Sequence, residues 1–379
     1  MTEEERVDDQ AYWLAWSQID GLGPILLRRL QQQFGTLAAA WEASAAELLA
    51  VDGVGSVTIE TIAVARRAID PVALLQEHKE KNPNFWTPAD ADYPRLLLEI
   101  PDPPPVLYYR GKVSRSEIQG LTPGIAIVGT RSPSDYGRRW TRRLTAALVQ
   151  NGYTIVSGLA DGIDAEAHRN CIEAQGRTIA VVGTGVNLVY PWSNRALYEQ
   201  VLQDGLVMSE YPADTQPDRT HFPRRNRIIA GLSRATIVIE APQKSGALIT
   251  AYQSNDYGRD VYALPGSLDN PKSIGCLTLL NKGAHVILSE SHLLEMLGTL
   301  PQFSPPPVEQ PQLPLNLPPE LQQVLQAIAD LSDLSLEAVP FDRIVQHSAL
   351  PTGSVSSALL QLELSGLVTE LPGMRYQRS

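Results

Sequence analysis

The chain has 379 residues, enough for two or three domains, and its formal net charge is −11. Hydrophobic residues make up 43% of it, yet no apolar run reaches the roughly 18 residues of a membrane span. The acidic first ten residues are unlike a signal peptide, and Cys171 and Cys276 form no Cys-x-x-Cys unit, which argues against a disulfide framework or a zinc site. These features predict a cytoplasmic protein with reduced thiols and no membrane contact.

Residues 1–78 predict a small helical domain. Two turns of the Gly-hydrophobic-Gly type, Gly21-Leu22-Gly23 and Gly53-Val54-Gly55, stand 32 positions apart. Such turns between helices are typical of helix-hairpin-helix units, whose turn amides can bind a DNA phosphate. We expect a compact five-helix, SAM-like module. The turns leave open whether the module contacts DNA or only packs.

Residues 79–300 alternate short apolar runs with amphipathic stretches. Seven of these runs predict buried strands, at 124–129, 153–157, 178–183, 206–209, 235–240, 260–264 and 285–288. Near-continuous apolar strands separated by helices indicate a parallel sheet that is covered on both faces. The prediction is an α/β domain with an extended Rossmann-like, doubly wound, mostly parallel sheet. Its ligand is expected at the carboxyl ends of the strands.

The C-terminal part predicts a linker and a third domain. Residues 301–319 contain eight prolines and read as an extended linker. Within 320–379, three helical stretches and a hairpin with Pro372-Gly373 at its tip predict a winged helix. Its recognition-helix equivalent, Thr352–Ser365, has no Lys or Arg, which favours protein contact or regulation over duplex reading.

Three loops at predicted strand ends carry small polar residues suited to an anion. They are Gly129-Thr130-Arg131, Ser157-Gly158 and Lys244-Ser245-Gly246. Glycine allows close approach of the backbone, a following helix offers free N–H groups, and Arg131 can grip a phosphate in bidentate fashion. Neither a G-x-G-x-x-G motif nor a P-loop is present, so no cofactor is expected.

The sequence favours binding over catalysis at these loops, because no nucleophile–base pair is evident. A metal site formed by Asp161, Asp164 and His168 is the less favoured reading of the second loop. The favoured reading makes Asp161 a helix N-cap and pairs Asp164 with His168, four positions away on the same helical face. No metal is therefore expected.

Positive charge is concentrated in two stretches despite the acidic whole. Residues 219–234 contain five arginines and no acid, and residues 131–143 contain five arginines and one acid. Pro223 predicts the first turn of a helix, which places Arg224, Arg225 and Arg227 near a helix N-terminus, where cations are unfavourable unless an anion lies nearby. Phe222 offers a ring on which a base can stack. The pattern predicts nucleic-acid binding.

These motifs together resemble the DNA-processing protein A family, also called DprA/Smf. Five family patterns occur in order over about 106–288, namely G-[ST]-R, S-G-x-A-x-G-I-D-x-x-A-H, R-N-R-I-I-x-G-L-S, S-G-x-L-I-T-A and A-L-P-G-S. The resemblance implies an extended Rossmann fold without a cofactor and a homodimer that binds single-stranded DNA. It also implies that the protein protects incoming DNA and loads the recombinase RecA onto it during natural transformation.

The resemblance also implies the contact residues. Phe222 would stack a base, and the other members of the set would meet the DNA backbone or line its groove. The full predicted set is Gly129, Thr130, Arg131, Ser157, Gly158, Arg219, Phe222, Arg224, Asn226, Arg227, Lys244, Ser245 and Gly246. Leu277 stands where the family commonly has an asparagine, so a polar contact of that asparagine is not carried over.

Two other functions stay open at this point. One is a nucleotide phosphoribohydrolase-like enzyme, since Rossmann-like relatives of that class have a similar loop layout. Those relatives carry P-G-G-x-G-T-x-x-E, whereas segment 241–248 has no glutamate. The other is a duplex-DNA regulator acting through the winged helix. We expect a binding protein that is not an enzyme.

Overall fold

The computed structural model describes residues 3–298, 318–332, 339–364, 367–371 and 374–378. The chain divides into two compact units, the first ending at Gln302 and the second beginning at Phe303. Within the described residues, no helix is both long and apolar enough to cross a membrane.

The first unit begins with more helices than the five expected from the sequence. Between positions 3 and 82 there are six, because the stretch after the second glycine turn divides at Asp70, which caps a helix that starts with Pro71. They are α1 (Glu3–Ser17), α2 (Pro24–Phe34), α3 (Leu37–Glu42), α4 (Ala45–Leu49), α5 (Ser56–Ala68) and α6 (Pro71–Lys81).

Both predicted glycine turns lie between helices. Gly21 and Gly53 have φ values of +83° and +88°, which residues with a side chain rarely adopt. In the second turn, Arg29 donates a hydrogen bond of 2.8 Å to the carbonyl of Asp52 and pairs with its carboxylate at 3.0 Å. The side chain of Arg29 therefore ties the two hairpins together.

A nine-stranded sheet follows in the same unit. The strands are β1 (Phe85–Trp86), β2 (Leu107–Gly111), β3 (Gly124–Val128), β4 (Thr154–Ser157), β5 (Thr178–Val181), β6 (Leu206–Ser209), β7 (Ser233–Val238), β8 (Asp260–Ala263) and β9 (His285–Val286). The seven predicted strands are confirmed. Two strands, β1 and β2, were missed, because β1 has only two residues and β2 is not buried beyond Tyr108.

The order of the strands is β1-β2-β6-β5-β4-β3-β7-β8-β9. The seven strands from β6 to β9 are parallel, while β1 and β2 are antiparallel additions beside β6. The chain runs from β3 outward to β6, then returns to the other side of β3 with β7. The order in which the chain adds strands therefore reverses between β3 and β7, although these two strands are parallel. Folds of this kind bind ligands at such a switch point.

Helices cover both faces of the sheet. Ile125 and Ile127 of β3 pack into one apolar cluster, and Ala126 and Val128 pack into the other, as the alternation of side chains along a strand requires. The helices are α7 (Arg95–Leu98), α8 (Arg115–Ile118), α9 (Asp135–Gln150), α10 (Ile163–Glu173), α11 (Arg195–Asp204), α12 (His221–Leu232), α13 (Gly246–Asp256), α14 (Ile274–Asn281) and α15 (Glu290–Leu297).

Helices α1 and α2 contact the segments that follow β1 and α7 within this unit. The Gln10 amide donates to the Asp90 carboxylate at 2.8 and 2.9 Å, and Arg28 donates to the carbonyl of Ile100 at 2.8 Å. The predicted domain boundary at 78/79 stays a prediction.

The described residues of the second unit form three helices and a three-stranded antiparallel sheet of order β10-β12-β11. Val324, Ile328, Ile344, Val355 and Leu362 form its buried core. The predicted Pro372-Gly373 tip, and the linker apart from its last two positions, lie outside the described residues. The elements are α16 (Pro319–Ser332), β10 (Val339–Pro340), α17 (Phe341–Ser348), α18 (Thr352–Leu364), β11 (Val368–Leu371) and β12 (Arg375–Arg378).

Candidate nucleic-acid interface

A groove of about 620 Å³ lies at the switch point of the sheet. We call it the switch-point groove. Nine members of the predicted contact set line it, contributed by the loops after β3, β6 and β7 and by the first turns of α12 and α13. They are Gly129, Thr130, Arg131, Arg219, Phe222, Asn226, Lys244, Ser245 and Gly246.

The loop after β3 is held by backbone contacts and by one buried acid. The N–H of Thr130 donates to the carbonyl of Glu240 at 2.7 Å, and the carbonyl of Thr130 accepts from Ile163 at 3.1 Å. The buried Glu240 carboxylate accepts from the N–H of Ser134 at 2.8 Å, where α9 begins. Sequence reasoning missed Glu240, because its partner lies 106 positions away.

Glycine is required at Gly129 for a steric reason. A Cβ there would lie 2.6 Å from Ile163 and 2.9 Å from the carbonyl oxygen of Glu240. The backbone of the loop therefore approaches its neighbours more closely than any side chain allows. Arg131 lies two residues after Gly129, is exposed and lines the groove.

A buried arginine and a buried acid both lie beside Gly158 and line the groove. Arg225 donates to the carbonyls of Gly158, at 2.7 Å, and Val181. The Asp164 carboxylate accepts from the N–H of Gly158 at 3.2 Å. Burial raises the pKa of Asp164 to about 6, although Arg225 and two backbone N–H groups oppose the shift. Burial lowers the pKa of Arg225 to about 10, against the opposing effect of Asp164.

Gly158 lies beside a smaller cavity adjoining the groove, where a Cβ would come within 2.7 Å of both Asp164 and Arg225. Both side chains also line the switch-point groove. Arg225 was not in the predicted contact set. The spacing of Phe222, Arg225, Asn226 and Ile229, three and four positions apart, would have placed it on the groove-facing side of α12.

Aromatic rings form one wall of the groove. Phe222 stacks against Tyr190 with centroids 5.5 Å apart and planes inclined by 26°. The Arg131 guanidinium lies 5.7 Å from the Phe222 centroid, within reach of a cation–π contact. Tyr190, in the loop after β5, was not predicted from the sequence, since its contact with Phe222 joins residues 32 positions apart.

Three predicted contacts need correction. Ser157 is fully buried, and its hydroxyl donates to the carbonyl of Ile127 at 2.6 Å, because it faces the core as the last residue of β4. Arg224 and Arg227 lie on a different side of α12 from the groove. The Arg227 guanidinium is buried against the Glu210 carboxylate at 2.6 Å, and Arg224 lies 3.4 Å from the same acid.

The arginines of residues 131–143 do not gather in the groove either. Arg131 alone among them lines it, and the other four lie along α9. Arg143 pairs with Glu290 and lies 4.4 Å from the Trp140 ring centroid. The local charge of the sequence is therefore spread over two surfaces.

Two predictions for the second loop are wrong, namely the Asp164–His168 pair and Asp161 as the helix N-cap. Nδ1 of His168 lies 2.7 Å from the Thr178 hydroxyl, and burial lowers its pKa to about 3. Asp161 accepts from the Ser193 hydroxyl at 2.9 Å, and Gly162, not Asp161, is the N-cap of α10. In the parts of the chain that the structure describes, no group of three His, Cys, Asp or Glu residues could hold a metal ion.

Comparison with known proteins identifies relatives along the whole chain. The family model described as DNA recombination-mediator protein A matches residues 84–298, and that of the DprA winged helix domain matches 306–374. Protein Smf of Synechocystis sp. is 50% identical over 401 positions, which cover 98% of this chain and 99% of the relative.

Two solved structures are similar. DNA processing protein A from Streptococcus pneumoniae has a TM-score of 0.64 and 34% identity, covering 78% of this chain and 98% of that one. DNA processing protein A from Helicobacter pylori, described for its single-stranded DNA binding mode, has a TM-score of 0.50 and 32% identity, covering 56% and 95%. The predicted Rossmann-like fold and winged helix are confirmed. The chain belongs to the DNA recombination-mediator protein A family, whose members are also called DprA or Smf proteins.

Proposed function

We propose that the chain is a DNA-binding protein that holds single-stranded DNA in the switch-point groove. The observation that carries this proposal is one cavity lined by exposed cations, loop amides and a stacked aromatic pair. The exposed cations are Arg131, Arg219 and Lys244. Cations and amides suit phosphates, whereas aromatic faces suit unpaired bases. The Helicobacter pylori relative, described for a single-stranded DNA binding mode, supports the same ligand.

The aromatic wall favours a single strand over a duplex. Bases in a duplex are stacked on each other and shield their faces, whereas an unpaired base can lie against Phe222 and Tyr190. Ser245 caps α13 and lines the groove with Lys244, so the N-terminus of that helix lies at the groove. A phosphate there would meet favourable N–H groups as well as the lysine.

We expect Arg131→Ala to weaken binding of single-stranded DNA and to flatten its salt dependence. Losing one phosphate contact reduces the slope of log K against log salt by about 0.7 for a single strand. Phe222→Ala should lower affinity by about 1–3 kcal/mol and leave that slope unchanged, since stacking releases no counterions. A salt series of binding isotherms measures both quantities.

Arg224→Ala is the matched control for Arg131→Ala, because it also removes an exposed arginine, but one that lies outside the groove. It should bind DNA nearly as wild type does. Equal wild-type affinity for single-stranded and duplex DNA would contradict the proposal. So would an Arg131→Ala protein with an unchanged slope.

The raised pKa of Asp164 predicts that DNA affinity increases as the pH falls. Its carboxyl is negative above about pH 6 and neutral below it, so acidification removes one negative charge from the groove. We expect wild type to gain affinity of about tenfold between roughly pH 8 and pH 5, and Asp164→Asn to lose this dependence. The difference between the two pH profiles isolates Asp164, and identical profiles would contradict the prediction.

The same shift has a consequence for folding stability with a definite sign. Asp164 binds its proton more tightly in the folded chain, with a pKa of about 6, than its ordinary value of 3.8. The contribution of the protonated Asp164 carboxyl to the free energy of unfolding is therefore fully present below about pH 4 and is lost as the pH rises through about 6. Asp164→Asn should remove this part of the pH dependence of unfolding.

We further propose that the chain protects incoming DNA and loads the recombinase RecA onto it during natural transformation, as a cytoplasmic homodimer. Membership of the family supports this proposal. RecA filament formation on single-stranded DNA, measured with and without the chain, tests the loading step, and sedimentation tests the dimer. No acceleration of filament formation, or a monomer at all concentrations, would contradict the respective part.

The alternative functions have direct tests. Release of free base from a nucleoside monophosphate by the purified chain would favour the phosphoribohydrolase-like enzyme, whereas we expect none. Tight duplex binding that survives Arg131→Ala would favour a regulator acting through the winged helix.

Limited proteolysis tests the proposed domains at 1–78, 79–300 and 320–379, with cleavage expected first in the proline-rich linker 301–319.

A further inference from the structure

The loop after β5 exposes two large aromatic side chains, one of which, Tyr190, lines the switch-point groove. Tyr190 is 42% exposed and Trp192 is 67% exposed. The chain has six tryptophans, and the other five are buried or half-buried. An indole that is two-thirds exposed gains little from packing within its own chain, so its surface is available to a partner.

This loop is anchored, so its aromatic side chains stand on a fixed base. The Ser193 hydroxyl donates to the Asp161 carboxylate at 2.9 Å, and the Asn194 amide donates to the carbonyl of Leu159 at 3.0 Å. Both acceptors lie in the loop after β4, close to Ala160, which lines the groove. A preorganised surface loses less entropy on binding than a mobile one.

One face of Trp192 already has a neighbour. The Arg195 guanidinium lies 4.7 Å from the Trp192 ring centroid, within the range of a cation–π contact. Arg195 is exposed as well, at the start of α11. The pair thus offers a flat aromatic surface together with a positive charge, the combination that binds single-stranded nucleic acid.

The position of Tyr190 connects this surface to the groove. Its ring stacks on Phe222, and Trp192 follows two residues later, a span of at most about 7 Å along the backbone. A nucleotide strand that left the groove past Tyr190 would therefore pass close to the backbone that carries Trp192. Pro191, between the two aromatic residues, lines the small cavity that adjoins the groove.

From this arrangement we infer that Trp192, backed by Arg195, is a second nucleobase-stacking site that extends the single-stranded DNA path beyond Phe222. The inference rests on the proposed function of the switch-point groove. It assigns to the exposed indole an unpaired base of the strand whose phosphates occupy the groove.

Intrinsic fluorescence of the full chain tests the inference directly. An oligothymidylate of about 15 nucleotides, long enough to pass beyond one base site, is titrated into the protein. Stacking of a thymine on Trp192 should quench the indole emission and shield it from an added collisional quencher. Trp192→Phe should bind DNA nearly as well as wild type but lose the DNA-dependent quenching. Trp140→Phe, at the half-buried tryptophan of α9, should keep that quenching.

Affinity provides the second measurement. Trp192→Ala should bind the oligothymidylate about tenfold more weakly with an unchanged salt slope, whereas Trp192→Phe restores binding. Because Trp192 is exposed, the melting temperature of the alanine variant should equal that of wild type, which separates stacking from misfolding.

The possible failures can be told apart. If wild type fails to bind the oligothymidylate, the proposed function falls, and the stacking site falls with it. If wild type binds but Trp192→Ala binds equally well and the quenching stays in Trp192→Phe, only the stacking site is overturned. If Trp192→Ala keeps full DNA affinity but no longer accelerates RecA filaments, a protein occupies this face, and the inference is wrong.

Discussion

Arg227→Met is expected to destabilise folding of the first unit by about 3–5 kcal/mol, because it leaves the Glu210 carboxylate buried without its main partner. The side chains of Arg227 and Glu210 are 4% and 5% exposed, and their charged atoms lie 2.6 Å apart. Arg227 also donates to the carbonyl of Asp102. Chemical denaturation of the full chain, followed by fluorescence and circular dichroism, measures the change.

A matched control is next to it in the sequence. Arg224 pairs with the same acid but is 56% exposed, and such a surface pair contributes about 0–1 kcal/mol. Arg224→Ala should therefore leave stability nearly unchanged. The double variant Arg227→Met/Glu210→Gln should be more stable than Arg227→Met alone, since the buried charge is removed.

The result also distinguishes structure from binding in the arginine-rich segment. If Arg227→Met kept full stability but bound DNA less well, Arg227 would belong to the DNA path after all. If Arg224→Ala and Arg227→Met were equally destabilising, the contrast between an exposed pair and a buried pair would be wrong.

The sheet was predictable from the sequence because its signal is local. Each central strand of a doubly wound sheet is largely buried on both faces, so it appears as a short apolar run, as at Gly124–Val128 and in the last four residues of Ser233–Val238. Phe85–Trp86 and Leu107–Gly111 lack this signal. They pair antiparallel at one edge, and the second has exposed residues at its end.

The site was only partly predictable, since a count of charges does not say where each side chain points. The segment 219–234 was correctly interpreted as containing a helix with Pro223 in its first turn. Helical periodicity then separates Arg225, which faces the groove, from Arg224 and Arg227, which meet Glu210. That step was available from the sequence.

Other parts of the site depend on contacts between distant segments. Glu240 holds the start of α9 across 106 positions, and Tyr190 reaches Phe222 across 32. Neither spacing has a local signature. Ser157 was misassigned for a related reason, because a serine at a strand end can face the ligand or the core, and here it faces the core.

Gly162→Ala is expected to combine a loss of stability with a loss of DNA binding. Gly162 has φ +83° and ψ −127°, a conformation that is close to glycine-only. An added Cβ would lie 2.3 Å from the carbonyl oxygen of Thr130 and 2.5 Å from the carbonyl carbon of Arg131. Both atoms are backbone, so a rotamer change cannot relieve the clash, and the loop after β3 must move.

We expect a cost of roughly 2–5 kcal/mol in folding stability, from backbone strain and overpacking together. Displacing Arg131 should also reduce the salt slope of DNA binding toward that of Arg131→Ala. Thermal denaturation and the salt series measure the two effects on the same protein preparation.

Gly258→Ala separates strain from displacement of the loop. Gly258 also has a positive φ, +68°, but an added Cβ there would meet no atom within 4 Å. This variant should lose about 1 kcal/mol of stability and keep the DNA affinity and salt slope of wild type. If Gly162→Ala behaved in the same way as Gly258→Ala, the close contact between Gly162 and the Thr130–Arg131 backbone would not control the groove. The position of Arg131 would then have to depend on Glu240 and the start of α9 instead.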